Sequence, residues 1–136
     1  MPRNAQGQHY AATVEEGLLY LPTVSIVIEF SESGHPIYSV CFAWLHLNAQ
    51  LIISKLKKGE QVRNYPRDGS EHQNREVRFP KAGTYKEYTV ETTNPILDSK
   101  GKRITSAHRV VHRVDTNEFY YTGFHYTDPH KVVDVP

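Results

Sequence analysis

Cys41 is the only cysteine in the 136 residues, which excludes an intramolecular disulfide and every CxxC metal or redox motif. An excess of one charge is lacking too: 16 Lys and Arg stand against 15 Asp and Glu, a formal net charge of +1. That balance argues against a domain devoted to wrapping nucleic acid, which usually shows a strongly basic surface. Met1 to Gln8 is polar, without the apolar core of a secretory signal, and no run approaches the roughly 20 apolar residues of a membrane span. These absences predict a protein made in a reducing cytosol, cytoplasmic or part of a virion, with no membrane partner. Gly-rich phosphate loops, nucleophile elbows and paired-carboxylate spacings are missing as well, and no cofactor is expected.

What is present has the composition of an ordinary folded domain, 38% hydrophobic and 23% charged, too apolar for disorder and near the usual size of one core. Residues 1–12 read as a flexible polar arm and residues 13–136 as a single domain. Leu18 to Leu21, stopped by Pro22, reads as a short edge strand. Val24, Ile26, Ile28 and Phe30 alternate with Ser25, Val27 and Glu29, which puts four large apolar groups on one strand face. Ser31 to Pro36 is a turn cluster.

Residues 37–57 fit two templates. Tyr38, Val40, Phe42 and Trp44 alternate as a strand does. Phe42, Leu45, Ala49, Ile52, Ile53 and Leu56 share a helical face, with Lys57-Lys58-Gly59 placed like a helix end. The early β-branched and aromatic residues, and the lack of a good N-cap, favour two strands over 37–47 and 50–57. Tyr65 to Arg75, with Pro66 and Gly69, reads as the longest loop. Val77 and Phe79, then Tyr85 to Thr92, form a further strand pair joined by Pro80-Lys81-Ala82-Gly83. Residues 103–114 also fit helix or strand, and Ile104, Thr105 and three valines favour the strand. Phe119 to Tyr126 is a last aromatic strand.

Thr23 to Glu91 resembles bacterial immunoglobulin-like modules of the cell-adhesion-related type. The resemblance rests on Val24-Ser25-Ile26-Val27-Ile28, on Leu56-Lys57-Lys58-Gly59-Glu60, and on Ala82-Gly83-Thr84-Tyr85. It implies an all-β fold, a single immunoglobulin-like antiparallel β-sandwich with room for one short helix, and a habit of binding. It brings no functional residue with it.

Eight histidines raise the question of a metal. His108 and His112 on a strand lie about 13 Å apart and cannot share one zinc, whereas on a helix they can. A third ligand would come from His46, His125, His130 or a carboxylate. No metal site is expected, and both residues are expected as polar groups on one face of a sheet. His125-Tyr126-Thr127-Asp128-Pro129-His130 sets an acid between two imidazoles, and turn chemistry around Asp-Pro accounts for it. Cys41, beside Phe42 and Trp44, reads as an inert core thiol.

The strongest patch is cationic and aromatic: Arg109 and Arg113 on one strand face, with Tyr120, Tyr121 and Tyr126 nearby as stacking surfaces for bases or sugars. Tyr65 and Arg67 on the long loop are the second contact element. The leading expectation is a non-enzymatic interaction module, self-associating or bound to a protein partner, as in an oligomeric or virion assembly. The alternatives are a carbohydrate- or single-stranded nucleic-acid-binding module, and a metal-dependent enzyme built on His108, His112 and His125.

Overall fold

A computed structural model describes residues 26–91, 96–97, 99–101, 103–104, 106–123, 126 and 128–136. The expected polar arm and the Leu18 to Leu21 strand lie outside the described residues. Among the described residues nine strands and one α-helix, with a 3-10 turn at Phe42–Trp44, follow in the order β1 (Val27–Phe30), β2 (Pro36–Cys41), α1 (Leu47–Lys57), β3 (Ser70–His72), β4 (Tyr85–Thr89), β5 (Ile96–Leu97), β6 (Arg103–Ile104), β7 (Arg109–Arg113), β8 (Glu118–Thr122) and β9 (His130–Val133). Seven of them form one sheet, β1-β2-β9-β8-β7-β4-β3, and β5 pairs with β6 alone.

This is an α+β arrangement and not an immunoglobulin-like sandwich. The main sheet is mixed, because β2 and β9 run parallel, with Tyr38 opposite His130 and Val40 opposite Val132. The other pairings are antiparallel. One side of the sheet is covered by a helix where a sandwich would place a second sheet.

Of the two strands expected over 37–47 and 50–57, the first is present only as β2, ending at Cys41, and α1 takes the place of the second. Its start is capped by His46, whose Nδ1 accepts from the Asn48 N–H at 3.0 Å, a job usually done by Ser, Thr, Asp or Asn. Its end is a Schellman motif: the Glu60 N–H reaches the Lys55 carbonyl at 2.9 Å and the Gly59 N–H the Leu56 carbonyl at 3.0 Å, with Gly59 at φ +83°. Ala49, Ile52, Ile53 and Leu56 are buried on one face, the 3.6-residue period winning over the aromatic start. Each large side chain so buried stabilises the fold by roughly 1.5–3 kcal/mol.

Alternation along the strands divides the sheet into two sides. Tyr88, Val90, Val110, Phe119 and Tyr121 meet the helix in the main core. Tyr85, Val111 and Tyr120 point the other way and pack with Ile37 and Phe79 in a second cluster. The single strand expected over 103–114 is present in part, as β7 over Arg109–Arg113 with Arg103–Ile104 in the separate β6, whereas β1 lies at the sheet edge with Ile26, Ile28 and Phe30 exposed. The expected long loop is interrupted by β3 and pinned by Asp68. That buried carboxylate accepts from the N–H groups of Asn64 (2.9 Å), Tyr65 (3.0 Å) and Thr89 (3.0 Å), tying the loop to β4.

Candidate active site

The side of the sheet away from α1 opens into a cavity of about 770 Å³. Its walls are Tyr65, Pro66 and Arg67 from the pinned loop, the stretch from Glu71 to Glu76 with Arg78, and Glu87, Thr89, Arg109 and Tyr126. Glu87 projects there because it alternates with the core residue Tyr88, and register sets it opposite Ser70 on β3 and Val111 on β7. Arg109 sits one row along, opposite Thr89 and Thr122.

Glu87 is held by donors. The Tyr126 hydroxyl donates to its Oε1, the Ser70 hydroxyl lies 3.3 Å from Oε2, and Arg67 Nη2 lies 3.5 Å from Oε2. Arg109 is only 8% exposed. Its Nη1 donates to the carbonyls of Ser106 and His108, the latter at 2.8 Å. Burial pushes the guanidinium pKa down, while the negative charges of Glu87 and Asp68 and the neighbouring Tyr65 oppose that shift. The cavity floor thus presents a carboxylate base beside a cation whose orientation is fixed by backbone carbonyls. Water screens such charges weakly.

His72 forms the adjoining wall. Its ring lies 4.4 Å from the Tyr126 ring and edge-on to Phe79 at 5.5 Å. Burial lowers its pKa, and the Glu87 charge raises it. Beyond it, Asn74 folds the 73–78 loop around itself. Its Oδ1 accepts from the Phe79 N–H at 3.1 Å and its Nδ2 donates to the Phe79 carbonyl at 3.0 Å. Within that loop Val77 adopts φ +50°, a strained conformation for a β-branched residue and one that clusters at ligand sites.

Of the residues singled out from the sequence, Tyr65, Arg67, Arg109 and Tyr126 are brought together around this cavity. Tyr120 and Tyr121 are each 1% exposed, so they fill the core and offer no stacking surface. Arg113 shares Arg109's face but is drawn to Asp115 at 3.2 Å, outside the cavity walls. His108 binds the Tyr121 hydroxyl and His112 binds Asn117. Among the described residues no three His, Cys, Asp or Glu side chains are grouped to hold a metal ion. His130 is buried, bonded to the Asp128 carbonyl at 2.8 Å and stacked on Tyr38; His125 lies outside the described residues. His72 and residues 73–75 fall within the long loop expected over Tyr65 to Arg75, with no role of their own there, and Glu87 and residues 76–78 were not among the expected site residues. The available signal for Glu87 was a carboxylate at the alternation position shared with the core residue Tyr85.

A family model described as ribonuclease matches residues 46–132. No curated protein matches the chain. Among solved structures, ribonuclease Sa2 with guanosine-2'-cyclophosphate is 31% identical, with 69% of this chain and 93% of that one covered at a TM-score of 0.55. Ribonuclease Sa2 with exo-2',3'-cyclophosphorotioate is 29% identical over the same shares, at a TM-score of 0.53. With 3'-GMP it is 30% identical, again over 69% and 93%, at 0.52. These matches overturn the immunoglobulin-like resemblance, which rested on strand-end patterns common to unrelated β proteins, and with it the reading as a non-enzymatic interaction or assembly module. No helix among the described residues is long and apolar enough to cross a membrane. The matched span takes in α1 and every wall of the cavity, and on it the chain belongs to the ribonuclease family.

Proposed function

We propose that this protein cleaves RNA by transesterification at the floor of the cavity. Glu87 takes the proton of a ribose 2'-hydroxyl, and the 2'-oxygen attacks the neighbouring phosphorus. The bond from phosphorus to the 5'-oxygen breaks, leaving a 2',3'-cyclic phosphate and a 5'-hydroxyl. The departing 5'-oxygen needs a proton, and we assign that donation to His125, the chain neighbour of Tyr126. A carboxylate base and an imidazole acid suit these two transfers. Water then opens the cyclic ester with the two roles reversed, giving a 3'-phosphate.

Arg109 stabilises the charge that builds on the phosphoryl oxygens. Its orientation is set before substrate arrives, which is what makes such a donor effective. Arg67, exposed at the rim, holds the phosphate as it enters. The 73–78 loop takes the base. Guanine offers adjacent N–H donors on one edge, and the Glu76 carboxylate is the acceptor for them. The guanosine cyclophosphate and 3'-GMP of the matched ribonuclease Sa2 structures support this choice.

The observation that carries the reading is the Glu87 carboxylate and the buried Arg109 guanidinium facing one cavity within the family-matched span. The test is mass spectrometry of products from a guanosine-containing dinucleoside phosphate. The expected result is a cyclic phosphate followed by a 3'-phosphate, with loss of both products in Glu87→Gln. Intact substrate with the wild-type protein, or full activity in Glu87→Gln, would overturn it.

A further inference from the structure

His72 is joined to the base loop by one bond that depends on its protonation state. The Asn74 N–H donates to His72 Nδ1 at 3.2 Å, an i to i+2 contact like that of an Asx turn. Asn74 in turn carries the loop: its backbone is at φ +53°, its carbonyl accepts from the Val77 N–H at 3.0 Å, and its side chain clamps Phe79. A proton on Nδ1 would set two N–H donors against each other and remove the acceptor.

We propose that the unprotonated Nδ1 of His72 is the latch that keeps the 73–78 loop in its binding shape, so that one proton on this ring releases the loop and weakens guanine binding. His72 is then a positioning residue for specificity, which rests on the assignment of that loop to the base. The groups around the ring are Glu71 on its own strand, Tyr85 and Glu87 on β4, Tyr126, and Arg75, Glu76 and Arg78 from the loop. Glu87 favours the proton and burial opposes it. Ring packing against Phe79 and Tyr126 leaves little room to turn the acceptor elsewhere.

The experiment is calorimetric titration with guanosine, which carries no phosphate to titrate, across neutral to mildly acidic pH. The wild-type dissociation constant should rise by up to about tenfold per pH unit once the ring protonates, because only the latched fraction binds. His72→Asn keeps a side-chain acceptor for the same N–H and has nothing to titrate. Loss of the ring packing sets its affinity, and that affinity should stay flat across the whole pH range. His72→Phe keeps a ring without an acceptor and should bind about two- to tenfold more weakly at every pH. In the wild-type protein alone, the Asn74 amide resonance should follow the His72 ring titration. A wild-type binding profile as flat as that of His72→Asn, or an Asn74 amide that ignores the ring, would overturn the latch. No guanosine binding at any pH, with the amide still following the ring, would instead overturn the base assignment.

Discussion

The two sides of the sheet are made by the same strands and do opposite work. Towards α1, β4, β7 and β8 present Tyr88, Val110, Phe119 and Tyr121 to a dry apolar core. Away from it the alternate positions carry Glu87, Thr89, Arg109 and Thr122. Placing a carboxylate and a guanidinium at inward-facing positions costs desolvation that an apolar pair would not. The difference says where selection for stability ends and where chemistry begins, and it can be broken from either side. Glu87→Gln is the largest expected effect. kcat should fall by about 10²- to 10⁴-fold, while the urea midpoint stays close to wild type because the amide still fills the space. Equal loss of activity and stability would mean that Glu87 is a structural residue.

Ile53→Ala tests the other side. Ile53 is 0% exposed in the helix-facing core, and truncation should cost about 2–5 kcal/mol. At a temperature where the variant is folded, kcat should be unchanged. A comparable loss of kcat would show that the two sides are not separable.

His108 sharpens the comparison with pH. On the helix-facing side its Nδ1 meets the Tyr121 hydroxyl at 2.5 Å, and burial, reinforced by Arg109 and His46, pushes its pKa from 6.5 to about 4. A folded pKa below the unfolded one means that the unfolded chain takes up the proton first. Stability is therefore full above pH 6.5 and is lost as pH falls towards 4, by roughly 2–4 kcal/mol. Urea midpoints across that window should fall for wild type and much less for His108→Gln. Parallel profiles would place the acid sensitivity elsewhere.

How much of this was readable depends on the range of the interaction. Period-two alternation put Arg109, Val111 and Arg113 on one face, and they share one in the sheet. The Gly59 stop is equally local, yet the early β-branched and aromatic residues favour strands over the helix it ends, and the His46 cap is not of a usual type. The parallel pairing of Tyr38 with His130 joins segments 92 residues apart, and no local pattern announces it; without it the strands read as a sandwich. Net charge is equally blind to local arrangement. A formal +1 argued against a nucleic-acid wrapper, but an enzyme needs positive charge only where the phosphate sits, and Arg67, Arg75, Arg78 and Arg109 gather around one cavity. Glu87 is, in the sequence, one charged position of an alternating strand, and its role depends on β3 and Tyr126, which are brought to it only by the fold.

The smallest effect concerns how α1 is ended, far from the chemistry. Gly59 sits at φ +83° with nothing within 4 Å of where a Cβ would project. Gly59→Ala therefore meets no clash, and its cost is the left-handed backbone alone, about 1 kcal/mol. Gly59→Asn should recover part of it, since Asn tolerates that conformation better. Neither change should alter kcat or KM, because the Schellman bonds from Glu60 and Gly59 serve the helix that covers the opposite side of the sheet. A change in KM in either variant would mean that the chain between α1 and Asp68 transmits the helix end to Tyr65 and Arg67 at the cavity rim, and the division between the two sides would have to be redrawn along that segment.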